Sequence, residues 1–231
     1  MLRFFEFAAC LTCKSCLPIA IAFALCAAGL ANPPELTYSS PLAVAPGKTT
    51  ELVFHGKNLE GAAGVWTGFK AKTNILSPLD SEHRSIRASL QVAENIPRGV
   101  YAARVATVGG VSHPLMIMVD DLPTVSEIES NHNRETAQTI VPPIAVDGSG
   151  NGTESDFYCF EASQGQWLTL EIVSSRLGYS FDAILRVLDE RGREIAVADD
   201  TPGLHGDCRL RFQSTQQQRY YVEVFDSRYS S

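Results

Sequence analysis

The sequence predicts an all-β protein built from two β-sandwich domains behind an N-terminal processing segment. Three observations carry this. Beyond residue 31 the apolar residues recur with period two rather than 3.6. The alternating runs are short, and clusters of Gly, Pro, Asn and Asp separate them. Each run is apolar on one side only, so each needs one covered face and one wet face.

Residues 1–31 read as a signal peptide. Arg3 and Lys14 give a positive start, "LPIAIAFALCAAGL" (Leu17 to Leu30) is apolar, and Gly29 and Ala31 offer small residues for cleavage before Asn32. That apolar run falls short of the roughly 20 residues a bilayer-spanning helix takes, so the mature form is expected to have no membrane span. The expected location is secreted or cell-surface. Without Arg3, Lys14 and Glu6, the 19 basic and 26 acidic residues become 17 and 25, a net charge of −8. No basic cluster stands out, which argues against a nucleic-acid partner.

Four cysteines (Cys10, Cys13, Cys16, Cys26) lie in the leader, leaving Cys159 and Cys208. Export would permit a disulfide between them. Strand parity argues against one, because Cys159 points opposite to Tyr158 and Phe160 while Cys208 shares a face with Leu210 and Phe212.

In the first block (32–120), "TTELVFHG" sets Leu52 and Phe54 on one face, and "SIRASLQV" groups Ile86, Ala88 and Leu90. "GVYAARVATVGGVSHPLMIMV" reads as two strands joined at Gly109-Gly110. "DDLPTVSEIESN" has acids, a proline and no apolar period, and marks the boundary. In the second block (121–231), "DFYCFEA" is a strand, and "QWLTLEIV" alternates Leu168, Leu170 and Ile172 against Trp167, Thr169 and Glu171. "AILRVLDERGREIAVA" is a hairpin that matches Leu185 and Val187 with Ile195 and Val197, and "CRLRF" and "YYVEV" supply further strands.

The first block resembles an Ig-like IPT/TIG domain through "PPELTYSSPLAVAPGKTTELVFHGKNL", with Pro46-Gly47 at a turn and Gly56 ahead of Asn58-Leu59. The second resembles the bacterial pre-peptidase C-terminal (PPC) domain through "EIESN", Ala137-Gln138, "GSGNGTESDFYCFEASQGQWL", "LGYSFDAILRVLDERGREIAVADD", "DCRLRF" and "YYVEVFDSRY". The pairing is similar to that in large exported proteins of planctomycete-type bacteria. The resemblance implies an Ig-like sandwich followed by a jelly-roll-like one. It also implies a closing strand after "FDSRYSS", and hence an unpaired sheet edge near Val222 to Phe225.

Some members of the resembling family bind calcium. Carried over residue by residue, their oxygen ligands fall on Glu127, Glu129, Asn131, Glu154 and Asp156. Carboxylates, an amide and backbone carbonyls suit the six to eight oxygens that Ca2+ prefers. Two departures matter: Ser130 stands for a proline, and His132 stands for an acid, which removes one hard ligand. The alternative is that Asp156 caps a turn and the other residues are solvated. "VADDTPGLHGDC" gathers Asp199, Asp200 and Asp207, a weaker second candidate in a turn of ordinary composition.

"VDGSGNGTESD" lacks the Gly-Lys-Ser/Thr of a phosphate loop and reads as an irregular connection. Ser112 and His113 are strand neighbours that face opposite ways, and neither His-Glu-x-x-His nor Gly-x-Ser-x-Gly occurs. Trp167 falls on the wetter face, where its ring could stack on a sugar. The expectation is a non-catalytic exported binding, attachment or spacer protein, stabilised by Ca2+ and engaging an extracellular polymer or cell-surface component. Two alternatives stand beside it. One is the accessory part of a secreted protease whose catalytic domain lies outside this chain, and the other is a carbohydrate-binding module using Trp167.

Overall fold

The computed structural model describes residues 32–78, 82–150 and 153–229; residues 1–31, expected to be a signal peptide, lie outside them. Ala31–Ser231 form one compact unit that encloses two separate apolar cores. The architecture is all-β. Along the chain come β1 (Glu35–Ser40), β2 (Ala43–Val44), β3 (Thr49–Lys57), β4 (Gly64–Thr67), β5 (Ala71–Pro78) and β6 (Ser85–Val92). Then follow β7 (Gly99–Thr107), β8 (Gly110–Val111), β9 (Leu115–Val119), β10 (Thr124–Ser126), β11 (Gln138–Thr139) and β12 (Ala145–Asp147). The last six are β13 (Asp156–Ala162), β14 (Trp167–Glu171), β15 (Ala183–Leu188), β16 (Glu194–Ala198), β17 (Arg209–Gln213) and β18 (Gln218–Asp226). Only short 3-10 turns interrupt them, and no helix among the described residues is long and apolar enough to cross a membrane.

The first core lies between a sheet ordered β1-β3-β6-β5 and one ordered β2-β9-β7-β4, with β8 folded back on β7. Its period-two faces are those expected: Leu52 and Phe54 of β3 and Ala88 and Leu90 of β6 are fully buried, opposite Val105 and Ile117. Each of the larger of these side chains contributes about 1.5–3 kcal/mol of apolar burial. Gly56 is required where β3 passes β1, since a Cβ there would lie 1.8 Å from the Glu35 carbonyl oxygen. Alternation missed β4 and β5, whose mixed composition has no clean apolar face.

The second core lies between a five-stranded sheet, β11-β13-β18-β15-β16, and a two-stranded one, β14-β17. Here the structure corrects two expectations. β18 is no edge: it pairs with β13 along one side and β15 along the other, because the chain returns through the middle of the sheet. The β15–β16 hairpin is also shifted. A bulge at Val187/Leu188 pairs Leu185 with Ala198 and Val187 with Ala196. The two alanines therefore face inward, and Ile195 and Val197 are exposed. One inserted residue exchanges the faces of a strand.

Cys208 lies in this core, while Cys159 faces the other side of β13 beside the Thr139 hydroxyl, and both thiols are free. Two links join the sandwiches. The Leu42 amide donates to Asp147 across 3.0 Å, and the 3-10 turn Ser175–Leu177 packs on β9. Asp207 holds that turn, accepting from the amides of Ser174 (2.8 Å), Ser175 (2.7 Å) and Arg176 (3.3 Å) and from the Arg176 Nε (2.5 Å).

Candidate functional site

β10 runs parallel to β12, so the segment leaving β10 emerges beside the one leaving β12. Glu127 donates its amide to the Asp147 carbonyl across 2.8 Å, and farther on the Asn131 carbonyl accepts from the Phe157 amide across 2.7 Å. These two backbone bonds tie residues 127–131 between the β12 exit and the start of β13. Ser130 turns this stretch with a left-handed φ of 96°, a conformation with a steric cost for a residue bearing a Cβ. A proline, with its ring-locked φ near −65°, would not fit this position.

The tied segment and β13 enclose a cleft of about 210 Å³ lined by Glu127, Glu129, Asn131, His132, Ser149 and Asp156. Four of the five residues singled out as oxygen ligands meet here. Glu154 does not line the cleft; it sits 3.7 Å from the Nε2 of His132, whose Nδ1 lies 3.3 Å from Asp156. The imidazole is thus set between two acids. Sequence reasoning noted His132 only as the loss of an acid and missed Ser149, since neither residue has a periodic or motif signal that reports proximity.

Glu127 is the most constrained of the acids. Its Oε1 accepts from the Asn131 Nδ2 at 3.1 Å and from the Tyr158 hydroxyl in a short bond, and its Oε2 accepts from the Ser149 amide at 2.9 Å. Burial, reinforced by Glu127, holds the Tyr158 hydroxyl protonated far above its usual range. Asn131 is buried, and its Oδ1 finds no hydrogen-bond partner among the described residues. A buried amide oxygen in that condition costs about 1–3 kcal/mol. Asp156 is pushed up to about 6, first by burial and then by the charge of Glu127, against the pull of His132. Excess negative charge and an unsatisfied acceptor in one cleft describe a place where a cation is favoured.

The other residues singled out lie apart. Trp167 is on the outer face of β14 and 55% exposed, with the Arg211 guanidinium 4.5 Å from its ring centroid. The "VADDTPGLHGDC" acids separate: Asp207 is consumed by the 3-10 turn it holds, while the exposed Asp199 and Asp200 lie with half-buried Asp182, a carboxylate oxygen of each within 4.8 Å of the others. The Ser112 hydroxyl is engaged by the Val105 amide and the His113 carbonyl, a bracing role within the first sandwich.

Neither a protein-family model nor a curated protein matches the chain. Among solved structures it is similar to SGBP-B of the mixed-linkage glucan utilization locus of Bacteroides ovatus, solved in complex with a mixed-linkage heptasaccharide. That likeness has 12% identity over 84% of this chain and 77% of that one, with a TM-score of 0.33. SGBP-B from a complex xyloglucan utilization locus in Bacteroides uniformis gives 11% identity, 87% and 69% coverage and a TM-score of 0.32. Bovine butyrophilin gives 11% identity, 84% and 97% coverage and a TM-score of 0.27. At these TM-scores no residue of this chain takes a role from them.

Proposed function

We propose that this chain is a non-catalytic exported binding or attachment protein in which residues 32–120 act as a spacer and residues 121–231 carry a calcium site. The observation that carries the reading is the acidic cleft with its unsatisfied Asn131 Oδ1. Glu127, Glu129, Asn131 and Asp156 would hold the ion, and backbone carbonyls and solvent would complete the six to eight oxygens that Ca2+ prefers. Three of these residues come from the segment after β10 and the fourth opens β13. Binding would therefore pin that segment to the second sandwich and stiffen its entry. The resemblance of the second block to PPC domains agrees with this reading, and the leader-like residues 1–31 accord with export.

Calorimetric titration of the full chain with CaCl2 tests it. Binding is expected, with stabilisation of about 2.7 kcal/mol at a free concentration one hundred times Kd, and with loss of both effects in Glu127→Gln and Asp156→Asn. Absence of heat and an unchanged Tm would refute the calcium site. Turnover in a broad hydrolase screen that Asp156→Asn abolishes would overturn the non-catalytic reading.

A second reading rests on the exposed ring of Trp167, which offers a platform for an extracellular polysaccharide. Trp167→Ala is then expected to abolish retention on the polysaccharide, and unchanged retention counts against it.

A further inference from the structure

The two-stranded sheet leaves one long edge of β14 without a strand partner among the described residues. The backbone on that edge is defined by parity. The Gln166 carbonyl and the Ile172 amide bond to Ser214 and Cys208, on the β17 side. In an antiparallel ladder the even residues between them also point toward β17, so the amides and carbonyls of Trp167, Thr169 and Glu171 point away from it. Side-chain burial agrees. Leu210 and Phe212 of β17 are 7% and 5% exposed, whereas Leu168 and Leu170, opposite them on β14, are only half-buried. The core is unfinished under this edge.

Other edges of the fold carry protection of the kind that blocks strand addition. β1 and β5 are interrupted by bulges, and β5 also bears Lys72. β4 is flanked by β5, and β16 by β17. β2 and β11 are two residues long, and β10 and β12 three. β14 has no bulge, proline or inward charge.

We propose that β14 is the pairing edge for a second copy of this chain, joined antiparallel about a two-fold axis through Thr169. The sequence Trp-Leu-Thr-Leu-Glu is complementary to itself in that register. Thr169 meets the partner's Thr169, and Leu168 meets the partner's Leu170 over the half-open core. Trp167, with Arg211 stacked on it, meets the partner's Glu171, so no like charges oppose each other. Glu171 is already neutralised by Arg176 and Arg209, at 2.5 and 2.7 Å. The outward amides and carbonyls of residues 167, 169 and 171 supply about six intermolecular hydrogen bonds. A closed isologous pair also leaves no edge for further addition. This pairing is independent of the calcium site.

Sedimentation equilibrium of the full chain, from low to high micromolar, is expected to show a monomer–dimer equilibrium. Thr169→Lys sets two ammonium groups across the axis on an exposed position and weakens dimerisation at least about fivefold while leaving the far-UV spectrum unchanged. Thr169→Cys places two thiols across a hydrogen-bonded pair with Cα atoms about 5.5 Å apart, within the about 4.4–6.8 Å a disulfide spans. Mild oxidation of the Thr169→Cys variant should therefore join the two introduced thiols across the axis, a link identified by peptide mass. Trp167→Cys should remain unlinked, since its own copy lies four residues away. A monomer at every concentration overturns the proposal, as does a dimer that tolerates Thr169→Lys and yields no cross-link in Thr169→Cys.

Discussion

Among the described residues, the first sandwich buries an apolar set broken by Ser39, Ser85, Ser112 and, at its end, Asp120, whereas the second encloses Asn131, Gln138, Ser174, Asp189, Asp207, Ser214 and Asp226. The first is a mostly apolar packing problem in which the long strands of both sheets serve the core. The second spends part of its interior on carboxylates that hold turns: Asp189 with Arg193, Asp207 with Arg176 and Asp226 with Arg228. Polar groups can be enclosed only where partners satisfy them. The second sandwich is therefore also where an unsatisfied group such as the Asn131 amide oxygen becomes informative. The proposed site lies in the body that tolerates polar burial.

Two substitutions break the comparison most sharply. Phe54→Ala should cost about 3–5 kcal/mol through a cavity in the first core. Asp207→Ala should cost a similar amount, about 3–5 kcal/mol, through the amides of Ser174, Ser175 and Arg176 left without their acceptor and the Arg176 guanidinium left with Glu171 alone. Each sandwich holds one of the two tryptophans, Trp66 and Trp167. Urea unfolding in Trp66→Phe and Trp167→Phe backgrounds thus reports which body each lesion loosens. Coincident midpoints for both reporters would mean that the Asp147 and Ser175–Leu177 links make the two cores one cooperative unit.

A smaller effect with opposite signs is expected at Asp156. With its pKa raised from 3.8 to about 6, the folded chain keeps a proton that the unfolded chain has lost. Stability without a cation should then fall as pH rises through that window, and stay low above it. Asp156→Asn should remove the fall, raise the Tm at neutral pH and abolish calcium binding together. A variant that merely destabilises the chain at all pH values would break this account.

Acid acts in the other direction at Asp226 and Asp189. The Arg228 guanidinium holds Asp226 below the usual carboxylate range, and the Arg193 backbone amide, then its guanidinium, does the same for Asp189. Their contribution is fully present above the ordinary carboxylate pKa of about 4 and is lost as pH falls through the depressed values. Acid titration should therefore perturb Trp167 fluorescence before that of Trp66, and Asp226→Asn should reduce the gap. The smallest expected effect concerns the thiols. Burial pushes Cys208 up to about 12, and Cys159 is also buried. Neither should react with a thiol reagent until the chain unfolds, and oxidation should not join them.

Period-two alternation within single segments set the identity of most strands, the outward face of Trp167 and the separation of Cys159 from Cys208, because these depend on pleat geometry that neighbouring residues share. The acids of Glu127 to Asp156 were likewise visible as a cluster of oxygen donors. Pairing was not visible. The bulge that turns Ile195 and Val197 outward, the central place of β18 and the free edge of β14 all follow from which strands meet. That is decided by closure of the whole core rather than by any run of residues. The same holds for the cleft, where His132 and Ser149 join the acids only because β10 lies along β12 and the Asn131 carbonyl ties its segment to Phe157. Local pattern determines which way a side chain points, and non-local packing determines what it meets there.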